Sequence, residues 1–167
     1  MLGKYISERT IFFRNFVFGV EDSLASTVGL MSGIAVAGLS QRTIITTGLI
    51  LIAVESFSMA VGSYLSEQYT QNYAEHREMP PKRAIMGSII MFATYLLTGF
   101  LPVFPYAFLD VKEAFPVSVV LSLLALLMLA VFTSRITQSR LIQTAVRMVL
   151  IGGIAVMVGA IVGRLAS

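Results

Sequence analysis

The chain has 167 residues, of which 56% are hydrophobic and 13% charged, whereas a soluble domain carries about a quarter charged residues. This apolar excess predicts one polytopic all-α membrane domain in a lipid bilayer, and the net charge of +3, spread over short loops, argues against a nucleic-acid partner. The absence of cysteine and the single histidine exclude thiol chemistry and a His-rich zinc site.

Five transmembrane helices are predicted in chain order, each near the roughly 20 residues that span a bilayer. They cover residues 16–39, 44–65, 84–108, 116–133 and 141–163. The third is interrupted by Pro102 and Pro105. Residues 66–83 form a cytoplasmic linker whose first half could extend the second helix, and Pro80 and Pro81 end any such extension.

Basic residues alternate between the two sides of these helices. Nine lie on the side of the N-terminus: Lys4, Arg9, Arg14, Arg77, Lys82, Arg83, Arg135, Arg140 and Arg147. Three lie on the other side: Arg42, Lys112 and Arg164. The positive-inside rule therefore predicts a cytoplasmic N-terminus and an external C-terminus.

Glu55 is the most unusual residue of the second predicted helix, because it lies about 16 Å deep, near the bilayer centre. A carboxylate at that depth normally faces a bundle interior or a water-filled path. It shares one helical stripe with small residues and a thioether: Ser58, Met59, Gly62 and Ser66. The alternatives are a protonated, structural Glu55 and a Met59 that only fills a gap in the packing.

The first helix has a matching stripe, made of Asp22, Ser26, Gly29 and Gly33. We expect the two stripes to face each other, or their copies in a second subunit, because small residues allow close approach. Carboxylate and hydroxyl oxygens with one thioether favour Fe(II), Mn(II) or Co(II), and a metal competes with protons for carboxylates. Asp22 could instead be an interfacial residue or an N-cap.

The linker offers a second group of polar residues: Glu67, Glu75, His76, Glu78 and Met79. They are either a metal-collecting patch or, as for most charge-rich stretches, a solvated helix face. The chain has no Ser/His/Asp or phosphate-loop signature, so no enzyme is expected.

Four stretches resemble the vacuolar iron transporter family in its short bacterial form, in order and over nearly the whole chain. They are "FVFGVEDSLASTVGLMSGIAVAG", "SFSMAVGSYLSEQ", "TGFLPVFPY" and "RITQSRLIQTAVRMVLIGGIAVMVGAIVGRL". The resemblance implies a five-helix protomer in a homodimer, with an ion path along the dimer interface lined by the first two helices. It also implies export of Fe(II), and often Mn(II), by proton antiport, with Asp22 and Met59 as ligands.

The sequence departs from that family at three points. Eukaryotic members carry a glutamate-rich metal-binding helical domain between the second and third helices, where this chain has only residues 66–83. The family's acidic residue on the second helix would fall at Leu51, whereas here the acid is Glu55. Many bacterial relatives have glutamate where this chain has Ser63.

The resulting interpretation is a proton-coupled exporter of Fe2+ or Mn2+ in the plasma membrane of a bacterium or archaeon, with the metal as substrate and no resident cofactor. Asp22, Glu55 and Met59 are expected to bind the ion and Glu67 to recruit it, with weaker contributions from three hydroxyls, those of Ser26, Ser58 and Ser66. The alternative is a non-transporting assembly or interaction protein that retains the transporter fold.

Overall fold

The computed structural model describes residues 8–75 and 81–167, and these form five long α-helices. They are α1 (Glu8–Val36), α2 (Gln41–Glu75), α3 (Pro81–Val103), α4 (Val111–Thr137) and α5 (Leu141–Ala166), with a short 3₁₀ helix at Phe104–Ala107 after α3. The described residues contain no strand, which agrees with the predicted all-α class. The predicted helices are all present, but each extends beyond its predicted bounds at one or both ends, and α1 and α3 end three and five residues earlier than predicted.

Local sequence explains most of the helix ends. Gly38 adopts a left-handed φ of 76° after α1, and backbone bonds from Gly38 and Leu39 satisfy the last carbonyls of that helix. α2 runs ten residues past its predicted end into the linker, as its polar but helix-compatible sequence allows. Pro81 is the first residue of α3, a position where the missing N–H costs nothing.

Successive helices run in alternating directions. Arg14 of α1 pairs with Glu67 near the end of α2, while Met31 lies beside Gly48 near its start, so these helices are antiparallel. Later residues of α1 contact later residues of α3, and the same holds for α1 and α5, so these three helices are parallel. The starts of α1, α3 and α5 and the ends of α2 and α4 therefore share one end of the bundle, here called the basic end.

Helix α1 lies at the centre of the bundle and contacts the other four helices. One apolar cluster joins it to α4 and α5 through Val20, Leu24, Leu126, Leu129, Ala130 and Met148. A second cluster joins it to α2, the 3₁₀ helix and α4 through Met31, Ile44, Ile52, Val103, Tyr106 and Ala114. The bundle thus holds α1 in place from several sides.

Glycines bring α1 and α5 into backbone contact. A Cβ placed on Gly33 would lie 2.7 Å from the carbonyl oxygen of Gly159, and one placed on Gly163 would collide with the carbonyl oxygen of Gly33. Gly29 fits against Ala155 and Gly159 in the same way. Within one protomer, Gly29 and Gly33 of the α1 stripe therefore pack against α5 and not against α2. The alternative that the stripes face their copies in a second subunit stays a prediction.

The outer surface of the bundle is apolar. α2, α3, α4 and α5 are each long and apolar enough to cross a membrane, and residues such as Ile50, Val54, Phe57 and Ile154 are exposed. This makes the chain a multi-pass membrane protein by length and composition. α1 has 29 residues but is less apolar than the other four helices, because it carries Glu21 and Asp22 together with small and polar residues such as Ser23 and Thr27.

Candidate functional site

Side chains from three helices lie near one another at one level of the bundle, and Asp22, Ser26, Glu55 and Tyr95 are here called the polar cluster. Tyr95 is buried, whereas the other three residues are half-buried. The Ser26 and Tyr95 hydroxyl oxygens are 2.7 Å apart. The carboxylates of Asp22 and Glu55 are near enough to interact electrostatically with each other and with the Tyr95 hydroxyl. The polar cluster therefore places two acids and two hydroxyls around one location.

Helix geometry explains why these residues meet. Asp22 lies fourteen residues after the start of α1, and Glu55 lies fourteen residues after the start of the antiparallel α2. Each carboxylate is consequently about 21 Å along its helix, near mid-membrane level. Ser23 fixes α3 beside them by donating a 2.7 Å hydrogen bond to the backbone carbonyl of Tyr95.

A cavity of about 170 Å³ lies between the polar cluster and the basic end, bounded by α1, α2 and α3. Its lining residues are Arg14, Asn15, Phe18, Met59, Gly62, Ser63, Ser66 and Met91. The Asn15 amide nitrogen and the Ser63 hydroxyl are buried there and have no hydrogen-bond partner among the described residues. Since buried polar atoms are normally satisfied, these two atoms are suited to a polar occupant of this cavity.

Glu67 is paired with Arg14, one of the residues that line this cavity. Its carboxylate accepts a 2.8 Å hydrogen bond from the Arg14 guanidinium, and its side chain is only 5% exposed. Before Glu67 can bind an arriving cation, Arg14 must move away from it.

The remaining predicted residues lie along the outer side of α2. Met59 is half-buried in the cavity wall, while Ser58 and Ser66 are exposed. A Cβ on Gly62 would have no atom within 4 Å. Part of the α2 stripe therefore lies on the surface of a single protomer.

Within the described residues, one protomer brings two acids together but not three. No group of three or more His, Cys, Asp or Glu side chains suited to a metal occurs among the described residues. Asp22 and Glu55 supply two acids, so further ligands must be hydroxyls, thioethers, water or residues of a second copy.

Sequence reasoning missed Tyr95 and Met91. Both are almost fully buried in α3, at 0% and 2% exposure. A tyrosine inside an apolar span is itself a signal, because a buried phenol needs a hydrogen-bond partner. Naming that partner required knowledge of which face of α3 contacts α1.

The linker patch is only partly described. His76, Glu78 and Met79 lie outside the described residues, and Glu75 is the last residue of α2. The patch therefore stays a prediction.

Comparisons with known proteins place the chain among named relatives. It is 24% identical to Vacuolar iron transporter 1 of Eucalyptus grandis over 85% of this chain and 81% of that protein. It is 29% identical to Vacuolar iron transporter homolog 4 of Arabidopsis thaliana over 88% and 79%. The first alignment spans 202 positions, more than this chain's 167 residues, so the Eucalyptus protein has inserted residues absent here.

The family match covers most of the chain. The model of the VIT family matches residues 13–85 and 70–164, two segments that overlap at the linker and the start of α3. The matched segments include Asp22, Glu55 and Tyr95. The chain belongs to the VIT family.

Proposed function

We propose that the protein exports Fe2+ or Mn2+ from the cytosol in exchange for protons, with the metal bound at Asp22 and Glu55. The observation that carries this function is the polar cluster, in which acids from α1 and α2 meet at mid-membrane level beside Tyr95. The names of the relatives, which are vacuolar iron transporters, support iron as a substrate.

Electrostatics supports the exchange of metal for protons. Two carboxylates close together in a low-dielectric interior repel each other unless a cation or protons neutralise them. A divalent ion and protons are thus alternative occupants of Asp22 and Glu55, and each releases the other. Alternating exposure of these acids to the two sides would turn that competition into antiport.

Met59 and the neighbouring hydroxyls set the preference for a metal. Carboxylates and the hydroxyls of Ser26 and Tyr95 are hard ligands, whereas the Met59 thioether is soft. This mixture suits Fe2+ and Mn2+ better than Mg2+ or Ca2+. Met59 lies one helical turn from Glu55 towards the basic end, so it would contact the ion as it enters from that side.

A homodimer would complete the site. The exposed Ser58, Gly62 and Ser66 form a small, polar strip on α2 that lipid would solvate poorly. An apolar groove of about 670 Å³ between α1 and α5 begins beside Ser26, and a helix of a second copy could occupy it. Two copies would enclose both strips and bring four acids to one path.

Charge distribution supports a cytoplasmic position for the basic end. Among the described residues, the basic end holds Arg9, Arg14, Lys82, Arg83, Arg135, Arg140 and Arg147, and the opposite end holds Arg42, Lys112 and Arg164. The positive-inside rule places the basic end in the cytoplasm. In this arrangement α1 also spans the membrane, which makes five crossings in total. Glu67 lies at that end, where it would receive the ion after Arg14 moves away. In a bacterium or archaeon the plasma membrane would hold the protein.

Two observations favour the alternative of a non-transporting assembly protein. Glu67, the expected recruiting acid, is occupied by Arg14, and residues present in the Eucalyptus relative are absent here. Both features would be tolerated in a protein that no longer captures metal.

Transport into proteoliposomes tests the function. We expect purified protein to accumulate Fe2+ or Mn2+ when a pH gradient is imposed, and Glu55→Gln to lower that rate by at least the roughly 10- to 100-fold seen for supporting residues of metal sites. Glu113→Gln is the matched control, because Glu113 is exposed in the first turn of α4 at the opposite end.

The outcomes separate the two functions. Wild-type transport in Glu55→Gln would refute the role of Glu55. No uptake of either ion by the wild-type protein would refute transport and favour the assembly protein.

A further inference from the structure

A second polar cavity lies at the basic end, between α1, α5 and the turn that joins α4 to α5. Its volume is about 390 Å³, and Arg140, Arg147, Ser139, Thr144 and Glu21 are among its lining residues. Glu21 and Asp22 are neighbours on α1, so their side chains point about 100° apart. The cavity therefore opens on a different face of α1 from the polar cluster.

The position of Arg147 needs an explanation. It lies six residues after the start of α5, about 9 Å into an apolar span, where an arginine normally pairs or faces a cavity. Within the described part of the chain it has no ion pair within 4 Å, and it interacts electrostatically with Glu21. Among the described lining residues Glu21 is the single acid, so it balances one of the two arginines.

Arg140 supplies the unbalanced positive charge. It is the N-cap residue of α5, where no side chain caps the helix and the first turn contains no acid. The first N–H groups of that turn therefore keep their partial positive charge beside the guanidinium.

Hydroxyl groups complete a lining rich in donors. The Thr133 hydroxyl is buried at this cavity without a hydrogen-bond partner in the described structure. The Ser139 hydroxyl accepts a hydrogen bond from Thr137 and lies 3.2 Å from the Thr144 hydroxyl, which donates to the Arg140 carbonyl oxygen. The donors left for an anion are therefore the guanidinium groups of the two arginines and the Thr133 hydroxyl.

We propose that this cavity binds a phosphate group, carried by an anionic phospholipid or present as free phosphate. A guanidinium matches phosphate oxygens with paired donors, and basic pockets between helices on the cytoplasmic side of a membrane suit anionic headgroups. Arg140 and the first turn of α5 hold the phosphate, while Arg147 balances Glu21. This site is independent of metal transport.

Lipid binding to the purified protein in detergent tests the site. The probes are phosphatidylglycerol, phosphatidylcholine and inorganic phosphate, with bound lipid counted by native mass spectrometry. We expect one retained phosphatidylglycerol per protomer, and roughly tenfold weaker binding in Arg140→Gln, as for one charge-assisted hydrogen bond. Arg135→Gln is the control, since Arg135 is an exposed arginine at the same end but outside the cavity lining.

A second variant keeps the net charge constant. Thr133→Val removes the unpartnered hydroxyl but changes neither size nor charge, so weaker binding in this variant also locates the phosphate in the cavity. Competition by millimolar inorganic phosphate would identify the phosphate group alone as the ligand, and competition only by anionic lipid would identify a headgroup with its chains. Equal losses in Arg140→Gln and Arg135→Gln, or no preference for phosphatidylglycerol over phosphatidylcholine, would overturn the site.

Discussion

The backbone contact between α1 and α5 makes a sharp prediction about two glycines of the same helix. In Gly159→Ala, the new Cβ would collide with the carbonyl oxygen of Gly29 and lie 2.8 Å from its carbonyl carbon. In Gly153→Ala, the same methyl group would have no atom within 4 Å. The two variants therefore have identical composition and differ only in what the methyl group meets.

The two substitutions are expected to change the free energy of unfolding differently. Carbon atoms pack best at about 3.5–4.0 Å, so Gly159→Ala must push α1 and α5 apart by roughly 1 Å at this level. Both opposing surfaces are backbone and cannot rotate away, so we expect the upper part of the overpacking range, about 2–3 kcal/mol of destabilisation. Gly153→Ala should leave the stability unchanged or raise it by up to about 1 kcal/mol, because alanine favours a helix more than glycine does.

Reversible unfolding by sodium dodecyl sulfate in mixed micelles, followed by far-UV circular dichroism, measures this difference. We expect the midpoint of Gly159→Ala to fall well below that of Gly153→Ala, by an amount equivalent to about 2–4 kcal/mol. Midpoints within about 0.5 kcal/mol of each other would refute the close α1–α5 contact, since that is the ordinary range for neutral substitutions.

Two further predictions concern the polar cluster and the α2 strip. Tyr95→Phe removes the phenolic hydroxyl that contacts Ser26. We expect metal transport in proteoliposomes to fall roughly tenfold and the free energy of unfolding to change by only about 1 kcal/mol. Unchanged transport would show that Tyr95 is not part of the ion path. Gly62→Leu places a large side chain on a position that is open in the protomer. We expect circular dichroism to show an intact fold, and size-exclusion chromatography with light scattering to show loss of the dimer. A dimer that survives Gly62→Leu would show that α2 does not form the interface through this strip.

Much of the candidate site follows from the sequence, because the number of residues from the start of a helix gives the depth of a residue in the membrane. The level of Glu55 follows from the start of α2 and the rise per residue. Asp22 occupies the corresponding level of α1, and the structure brings the two acids within electrostatic reach. Met59 likewise lies in a cavity wall one turn away. The roles of these residues in binding metal stay predictions.

Other features depend on distances that no local pattern contains. The pairing of Glu67 with Arg14 joins residues 53 positions apart and depends on how far α2 extends beyond the bundle. Tyr95 enters the polar cluster only because α3 turns that face towards α1. The cavity at Arg140 and Arg147 requires three helix segments to meet at the basic end.

Hydrophobicity, length and charge act residue by residue, so the amino-acid sequence alone predicts an all-α membrane protein with five helices, a basic end and acids at mid-span. Which helices contact one another depends on tertiary packing. The stripe of Gly29 and Gly33 could pack against the small residues of α2 or against Ala155, Gly159 and Gly163 of α5, and it packs against α5. Lipid is as apolar as the helix surfaces, so hydrophobicity does not choose between such partners. Close backbone fit does, and that fit exists only once the helices are assembled.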